Sequence, residues 1–270
     1  MPELPEVETT RRGIAPHIEG QLVDSVVVRR DQLRYPVPKD FEQLMGARIH
    51  CVERRGKYLI VNTDYKHWLC HLGMSGSLRL VDGDTPYKKH DHLDIALANG
   101  RHLRYHDPRR FGLVVWAGTT PQAHPLLCKL GPEPLGHHFS GEHLYAKSRG
   151  RKGAVKNFIM DSQVVVGVGN IYASECLFLA GIHPKRAAGR VGLARYQALA
   201  QAIQTVLGDA ITQGGTTLRD FVNSDGQPGY FAQQLRVYGR AQEPCPQCGS
   251  PIHTQVIGQR SSYFCKQCQR

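Results

Sequence analysis

Cys245-Pro246-Gln247-Cys248, then sixteen residues, then Cys265-Lys266-Gln267-Cys268: this stretch decides how the C-terminal end of the chain folds. Two Cys-x-x-Cys pairs at that separation suit one tetrahedral Zn2+, each knuckle giving two thiolates. The stretch between them is long enough for a β-hairpin. The alternative, a pair of disulfides, needs an oxidising compartment, and nothing else in the chain points to one. Four thiolates leave no open position for water, so the expected zinc is structural. It holds a segment too short to bury a core of its own. The remaining cysteines, Cys51, Cys70, Cys128 and Cys176, are scattered and read mostly as small core residues.

Upstream of the finger the periodicity is helical. Leu193, Tyr196, Leu199, Ile203, Val206, Leu207 and Ile211 recur at three- and four-residue steps, with Gly214-Gly215 closing the helix. This stripe is core and carries no chemistry. A shorter helix is expected from Asn170 to Ala180, stopped by Gly181 and Pro184. Residues 119–150 are rich in Pro, Gly and His and read as a linker with loops. Before them come candidate strands at Val23–Arg30, Ala47–Asn62, Trp68–Leu72, Ser77–Val81, His92–Ala98, His102–Tyr105 and Leu113–Trp116. Asn99-Gly100 is a tight-turn signal. The chain opens with a short helix from Pro5 to about Ile14, with Val7 and Ile14 on one face and Pro16 ending it. The class is α+β, a sandwich-like or barrel-like strand-rich half followed by helices and the finger. Boundaries fall at 1–130, a linker at 131–150, 151–235 and 236–270.

The 270 residues carry 34 Lys+Arg against 23 Asp+Glu, a formal charge of +11. That excess favours a polyanionic partner, nucleic acid before an anionic membrane. A hydrophobic content of 41 % allows real cores and argues against disorder. No apolar stretch approaches the length of a bilayer span, and the acidic N-terminus lacks an apolar signal region. A cytoplasmic, reducing location is expected.

Met1-Pro2-Glu3-Leu4-Pro5-Glu6 carries a possible nucleophile. With Met1 removed, Pro2 presents a secondary amine beside the Glu3 carboxylate. An α-amino group titrates near ~7.7–8.0 against ~10.4 for lysine, so far more of it is unprotonated at neutral pH. An unprotonated amine can attack a sugar carbon and become a Schiff base. Read alone, the same residues are also a start codon followed by a frayed tail.

Other motifs offer contacts with a polyanion. Val165-Val166-Gly167-Val168-Gly169-Asn170 is a glycine-rich turn into a helix start, which favours a phosphate or serves as a tight packing turn. It is neither a Walker loop nor G-x-G-x-x-G, so no nucleotide cofactor is expected. Arg149, Arg151, Lys152 and Lys156 form a basic run, a solvated face or a phosphate rail. Asp107-Pro108-Arg109-Arg110-Phe111-Gly112 joins a bidentate donor to an aromatic wedge, or makes a salt-bridged turn. Leu72-Gly73-Met74-Ser75-Gly76 places Met74 in a glycine-flanked loop, able to fill a gap in a base stack if exposed. Arg54-Arg55-Gly56-Lys57 reads as a solvated strand edge. Arg260 lies near the tip of the finger hairpin.

Together these motifs resemble the formamidopyrimidine-DNA glycosylase family, the bacterial enzymes that excise oxidised purines. The resemblance runs from M-P-E-L-P-E-V-E-T through H-L-G-M-S-G, D-P-R-R-F-G and V-G-V-G-N-I-Y-A-S-E to the four-cysteine finger. It implies an N-terminal β-sandwich catalytic domain, a helical domain with a helix–two-turn–helix element, the C-terminal zinc-finger β-hairpin, and DNA in the cleft between the halves. It implies Pro2 as the nucleophile at C1′, Glu3 as the acid assisting sugar-ring opening, Lys57 in proton transfer during β-elimination, and Arg260 in phosphate grip and δ-elimination. Asn170 resembles a phosphate ligand, and His90, Arg109 and Arg151 match DNA-contacting positions. Met74, Arg109 and Phe111 resemble the trio that fills the gap left by the everted base. Gln213–Tyr230 matches a loop over the flipped lesion. The implied partner is double-stranded DNA with an oxidised purine, preferably opposite cytosine, bound by a bacterial, nucleoid-associated monomer. Two other readings stay open: a related glycosylase preferring oxidised pyrimidines, and a non-enzymatic zinc-ribbon DNA-binding protein. The second leaves Pro2, Glu3 and Lys57 without a role.

Overall fold

The computed structural model describes residues 2–215 and 234–270. Met1, and all of the Gln213–Tyr230 stretch after Gly215, lie outside the described residues. The described residues form two compact units, residues 2–128 with 213–215, and residues 129–212 with 234–270.

The first unit opens with α1 (Leu4–Ile18), capped by Glu3 in a capping box with Glu6 and started by Pro5 in its first turn. Pro16 does not end the helix near Ile14; it sits inside the last turn. A proline there forfeits one bond to the carbonyl four residues back. Burial of Ile18, 0 % exposed, offsets that loss, and the chain leaves the helix at Glu19.

Strands β1 (Val23–Val28), β2 (Ile49–Arg55), β3 (Tyr58–Thr63), β4 (His67–His71), β5 (Ser77–Asp82), β6 (Asp91–Leu97), β7 (Arg101–His106) and β8 (Leu113–Gly118) follow. They make two antiparallel sheets, ordered β1-β6-β7-β5 and β2-β3-β4-β8. Apolar residues of both sheets and the Val7, Ile14 and Ile18 face of α1 share one core, with Phe41 set edge-on to Trp68 at its centre. This is the expected sandwich. The run 47–62 splits into β2 and β3 at Gly56, whose φ of 57° suits a residue without a Cβ. Every residue of β6 is buried. Its outer face is covered by the 83–90 loop, where Arg104 donates to the carbonyls of Thr85 and Pro86 and pairs with Asp94 at 2.7 Å.

The second unit holds α2 (Gly141–Ser148), α3 (Val155–Met160), α4 (Asn170–Leu179), α5 (Leu193–Thr212), β9 (His253–Ile257) and β10 (Arg260–Phe264). Helix α2 stands where the sequence read as loop. Ser140 caps it by accepting the His143 N–H, and only one large apolar side chain, Leu144, is buried, too few for a visible stripe. β9 and β10 pair as a hairpin across Gly258 and Gln259, both at positive φ (56° and 62°), the signature of a type I′ turn.

Candidate active site

In the first unit, Pro2 is buried and Glu3 is 2 % exposed, both at the N-terminus of α1. The Glu3 N–H donates to the Glu6 carboxylate at 2.8 Å, fixing the backbone next to Pro2. α1 also satisfies the outer edge of β2. The Glu19 carboxylate accepts the Val52 N–H at 2.8 Å, and Arg11 donates to the Val52 carbonyl at 3.3 Å.

Glu8, one turn and a half from Pro2, accepts from Arg11, Arg12 and Arg54 at 2.8–3.2 Å. Burial pushes its carboxyl up, but the bonds from Arg11 and Arg12 and the charges of Arg11 and Arg54 outweigh it and hold the group down at about 2. Arg54, expected on a solvated edge, has a side chain only 12 % exposed. Two residues on, Gly56 and half-buried Lys57 make the β2–β3 turn.

The wedge candidates stand on two loops that interlock. A Cβ on Gly73 would strike the backbone of Phe111 and Gly112; one on Gly112 would strike the Tyr105 hydroxyl and the His71 carbonyl. Asp107 knots the loops together. Fully buried, its carboxylate accepts from the Ser75 hydroxyl (3.0 Å), the Tyr105 hydroxyl (3.2 Å) and the Gly112 N–H (2.9 Å). Met74 is half-buried, Phe111 is 47 % exposed, and the exposed Arg109 guanidinium lies 5.0 Å from the Phe111 ring centre. Met74 and Phe111 line a cavity of about 300 Å³ with Arg34, His71 and Gly73. Burial, then the charges of Lys57 and Arg34, push His71 down to about 4, so it is neutral near pH 7 and accepts the Gly73 N–H on Nδ1. His90 is half-buried beside the His92 and His106 rings, and its carbonyl accepts the Asp107 N–H.

In the second unit, Arg151 is exposed and lines a shallow pocket of about 190 Å³ with Asn157 and Asp161. Lys156 is no member of a solvated rail. It is 0 % exposed, and its ammonium donates to Asn170 Oδ1 (2.6 Å), Ser262 Oγ (2.6 Å) and the Ser261 carbonyl (3.3 Å). Asn170, first residue of α4, also donates to the Ser261 carbonyl at 3.1 Å. Lysine and asparagine thereby tie α3 and α4 to the strand that begins with exposed Arg260. Gly258 of the hairpin turn presses on the Asn157 side chain so closely that a Cβ has no room. Glu175, 3 % exposed on α4, accepts the N–H groups of Arg236, Val237 and Tyr238 at 2.8–2.9 Å.

The four finger sulfurs lie within 4.8 Å of one another, with Cys248–Cys265 at 3.5 Å and Cys245–Cys268 at 3.9 Å. Zinc–thiolate bonds of ~2.3 Å in a tetrahedron put sulfurs about 3.8 Å apart, so the cluster fits one structural Zn2+. Hydrogen bonds from the Ser250 side chain and backbone hold the Cys248 thiol down at about 6, towards the thiolate a metal takes. Of the scattered cysteines, Cys70 and Cys176 are buried, Cys51 is half-buried and Cys128 is exposed.

Pro2, Glu3, Lys57, Met74, His90, Arg109 and Phe111 thus share the first unit, and Arg151, Asn170, Arg260 and the cysteines share the second. Sequence reasoning passed over Glu8, His71 and Glu175, and read Asp107 only as part of a turn. His71 opens the H-L-G-M-S-G motif and Glu175 closes V-G-V-G-N-I-Y-A-S-E, the one signal that marked them. No helix among the described residues is long and apolar enough to cross a membrane.

Family models match in three consecutive blocks. They are the formamidopyrimidine-DNA glycosylase N-terminal domain at residues 1–114, the formamidopyrimidine-DNA glycosylase H2TH domain at 130–222, and a zinc finger found in FPG and IleRS at 242–270. The formamidopyrimidine-DNA glycosylase of Nitrosococcus oceani is 59 % identical over 270 residues, covering all of both chains. A crystal structure of a Lactococcus lactis FPG variant with Fapy-dG-containing DNA is similar at TM-score 0.92 and 35 % identity over 100 % of both chains. A complex of Lactococcus lactis Fpg with abasic-site DNA is similar at TM-score 0.91 and 35 % identity, over 99 % of each chain.

Proposed function

The chain belongs to the formamidopyrimidine-DNA glycosylase family, DNA glycosylases with lyase activity at apurinic or apyrimidinic sites, and on that premise we propose that it excises 8-oxoguanine and formamidopyrimidines from duplex DNA through a Schiff base on Pro2 and nicks the strand by β,δ-elimination. The observation that carries this reading is the setting of Pro2: buried beside the Glu3 carboxylate, at the start of a helix fastened to the strand that leads to Lys57.

A base inside a duplex is out of reach of a buried amine, so the nucleotide is swung out. Flipping costs a few kcal/mol. Met74, Phe111 and Arg109 offset it by occupying the vacated stack, with Arg109 facing the orphaned cytosine. His90, Arg151, Asn170 and Arg260 hold phosphates. Once Met1 is removed, the Pro2 secondary amine attacks C1′ as the base departs, and Glu3 protonates the ring oxygen so that the sugar opens to an iminium. The iminium acidifies the C2′ proton; Lys57 takes part in its transfer, the 3′ phosphate leaves, and Arg260 assists departure of the 5′ phosphate. Zinc takes no part in these steps. In this reading the parts are a catalytic sandwich (1–130), a linker (131–150), a helix–two-turn–helix domain (151–235) and a finger (236–270), working as a monomer on cytoplasmic, nucleoid DNA.

The test is borohydride trapping on a duplex with a single 8-oxoguanine opposite cytosine. The expected result is a covalent adduct that maps to Pro2 and disappears in Pro2→Gly. Tight DNA binding with zinc in place and no adduct overturns the reading.

A further inference from the structure

The Arg54 guanidinium holds two acceptors at once. Its Nε donates to Glu8 at 3.2 Å, and its Nη1 donates to the Gly56 carbonyl at 3.0 Å. Glu8 belongs to α1, the helix that begins beside Pro2, and Gly56 is the residue before Lys57. One side chain therefore joins the helix that carries the amine to the turn that carries the lysine. The join is rigid. Glu8 is 10 % exposed and Arg54 12 % exposed at their side chains, and Arg11 donates to both oxygens of the same carboxylate, sharing Oε2 with Arg54, while also reaching the Val52 carbonyl. Gly56 sits at φ 57°, a left-handed conformation that a bond to its carbonyl helps to fix.

We propose that Arg54, held by Glu8, is a positioning residue that sets the register of Lys57 against the Pro2 amine, so that proton transfer follows iminium formation within one encounter. The inference rests on the roles proposed above for Pro2 and Lys57. It separates two chemical steps. Forming the iminium needs the amine and Glu3; eliminating from it also needs the lysine in place. A misplacement of ~1 Å at a reacting group can cost about 10²-fold. Lysine keeps the positive charge beside Glu8 but, as a compact ammonium on a flexible stem, lacks the planar fork that spans Glu8 and the Gly56 carbonyl.

The experiment compares wild type, Arg54→Lys and Arg12→Ala on a duplex with a preformed abasic site, under single turnover. Borohydride-trapped adduct and strand nicking are measured in parallel, with thermal unfolding of each variant. In Arg54→Lys we expect trapping within about 3-fold of wild type and nicking slower by about 10- to 100-fold, so the imine accumulates. Arg12, which bonds Glu8 from an exposed position (59 %), removes an equal charge without touching Gly56, and Arg12→Ala should trap and nick as wild type. Unchanged nicking in Arg54→Lys, or trapping and nicking falling together with the folded fraction, overturns the inference. An absence of adduct in the wild type instead sinks the Pro2 reading on which it stands.

Discussion

Each unit buries a charge, and the two are met differently. Glu8 in the first unit is met by three arginines, two of which, Arg11 and Arg54, also reach backbone carbonyls. Lys156 in the second is met by an amide oxygen, a hydroxyl and a carbonyl. The first unit has a two-sheet core to carry its stability, so its ion network has a second task, the alignment of α1 with β2. The finger has only a small cluster, Val237, Cys245, Ile252 and Cys265 against Phe178 of α4. There the metal and Lys156 supplement a small core, together with Asn170, Glu175 and Gln269, which donates to the Ile182 carbonyl.

The largest expected effect comes from removing the metal. Both tryptophans, Trp68 and Trp116, lie in the first unit, so their fluorescence reports that unit alone. Chelation of Zn2+ should abolish specific DNA binding, by at least about 100-fold, while tryptophan emission stays at its native wavelength. A red shift in step with zinc release would show that the first unit depends on the finger, and the contrast drawn above would collapse.

Lys156→Met comes next. It keeps the length and volume but strips the ammonium from Asn170 and Ser262. Hydrogen bonds to charged groups are worth ~1.5–3 kcal/mol, and urea unfolding followed by far-UV circular dichroism should show a loss of that order. DNA affinity should fall with it. If stability is unchanged, the buried lysine is not the attachment we take it for.

The smallest effect is in the first unit and runs with acid. The folded Glu8 carboxyl, near 2, lies below its ordinary 4.5, so the unfolded chain takes up the proton first. Its contribution is complete above about 4.5 and is lost as pH falls towards 2. His71, near 4 instead of 6.5, acts in the same direction over the window above. Acid titrations of tryptophan emission should therefore be flatter at their lower limb in Glu8→Gln and at their upper limb in His71→Gln. Curves that superimpose on wild type in both variants would remove these groups from the account.

The finger and the strands were legible because their signals are local. Cysteine spacing, and short apolar runs bounded by turn residues such as Asn99-Gly100, each sit within a few residues. What escaped was long-range. Lys156 looked like one of four neighbouring cations because its partners stand 14 and 106 positions away. Arg54 looked like a solvated edge because its carboxylate is 46 residues upstream. Pro16 looked like a stop because the fully buried Ile18 two residues on gave no sign of how deeply it packs. Burial of a charge is a property of the fold, and no window of sequence around the residue contains it.

The contact between the two wedge loops has a mechanical consequence. Gly73 and Gly112 meet backbone against backbone, with no side chain between them to compress or rotate, and Asp107 stitches the joint from below. Met74 and Phe111 are therefore two teeth of a single comb. A force that moves one moves the other.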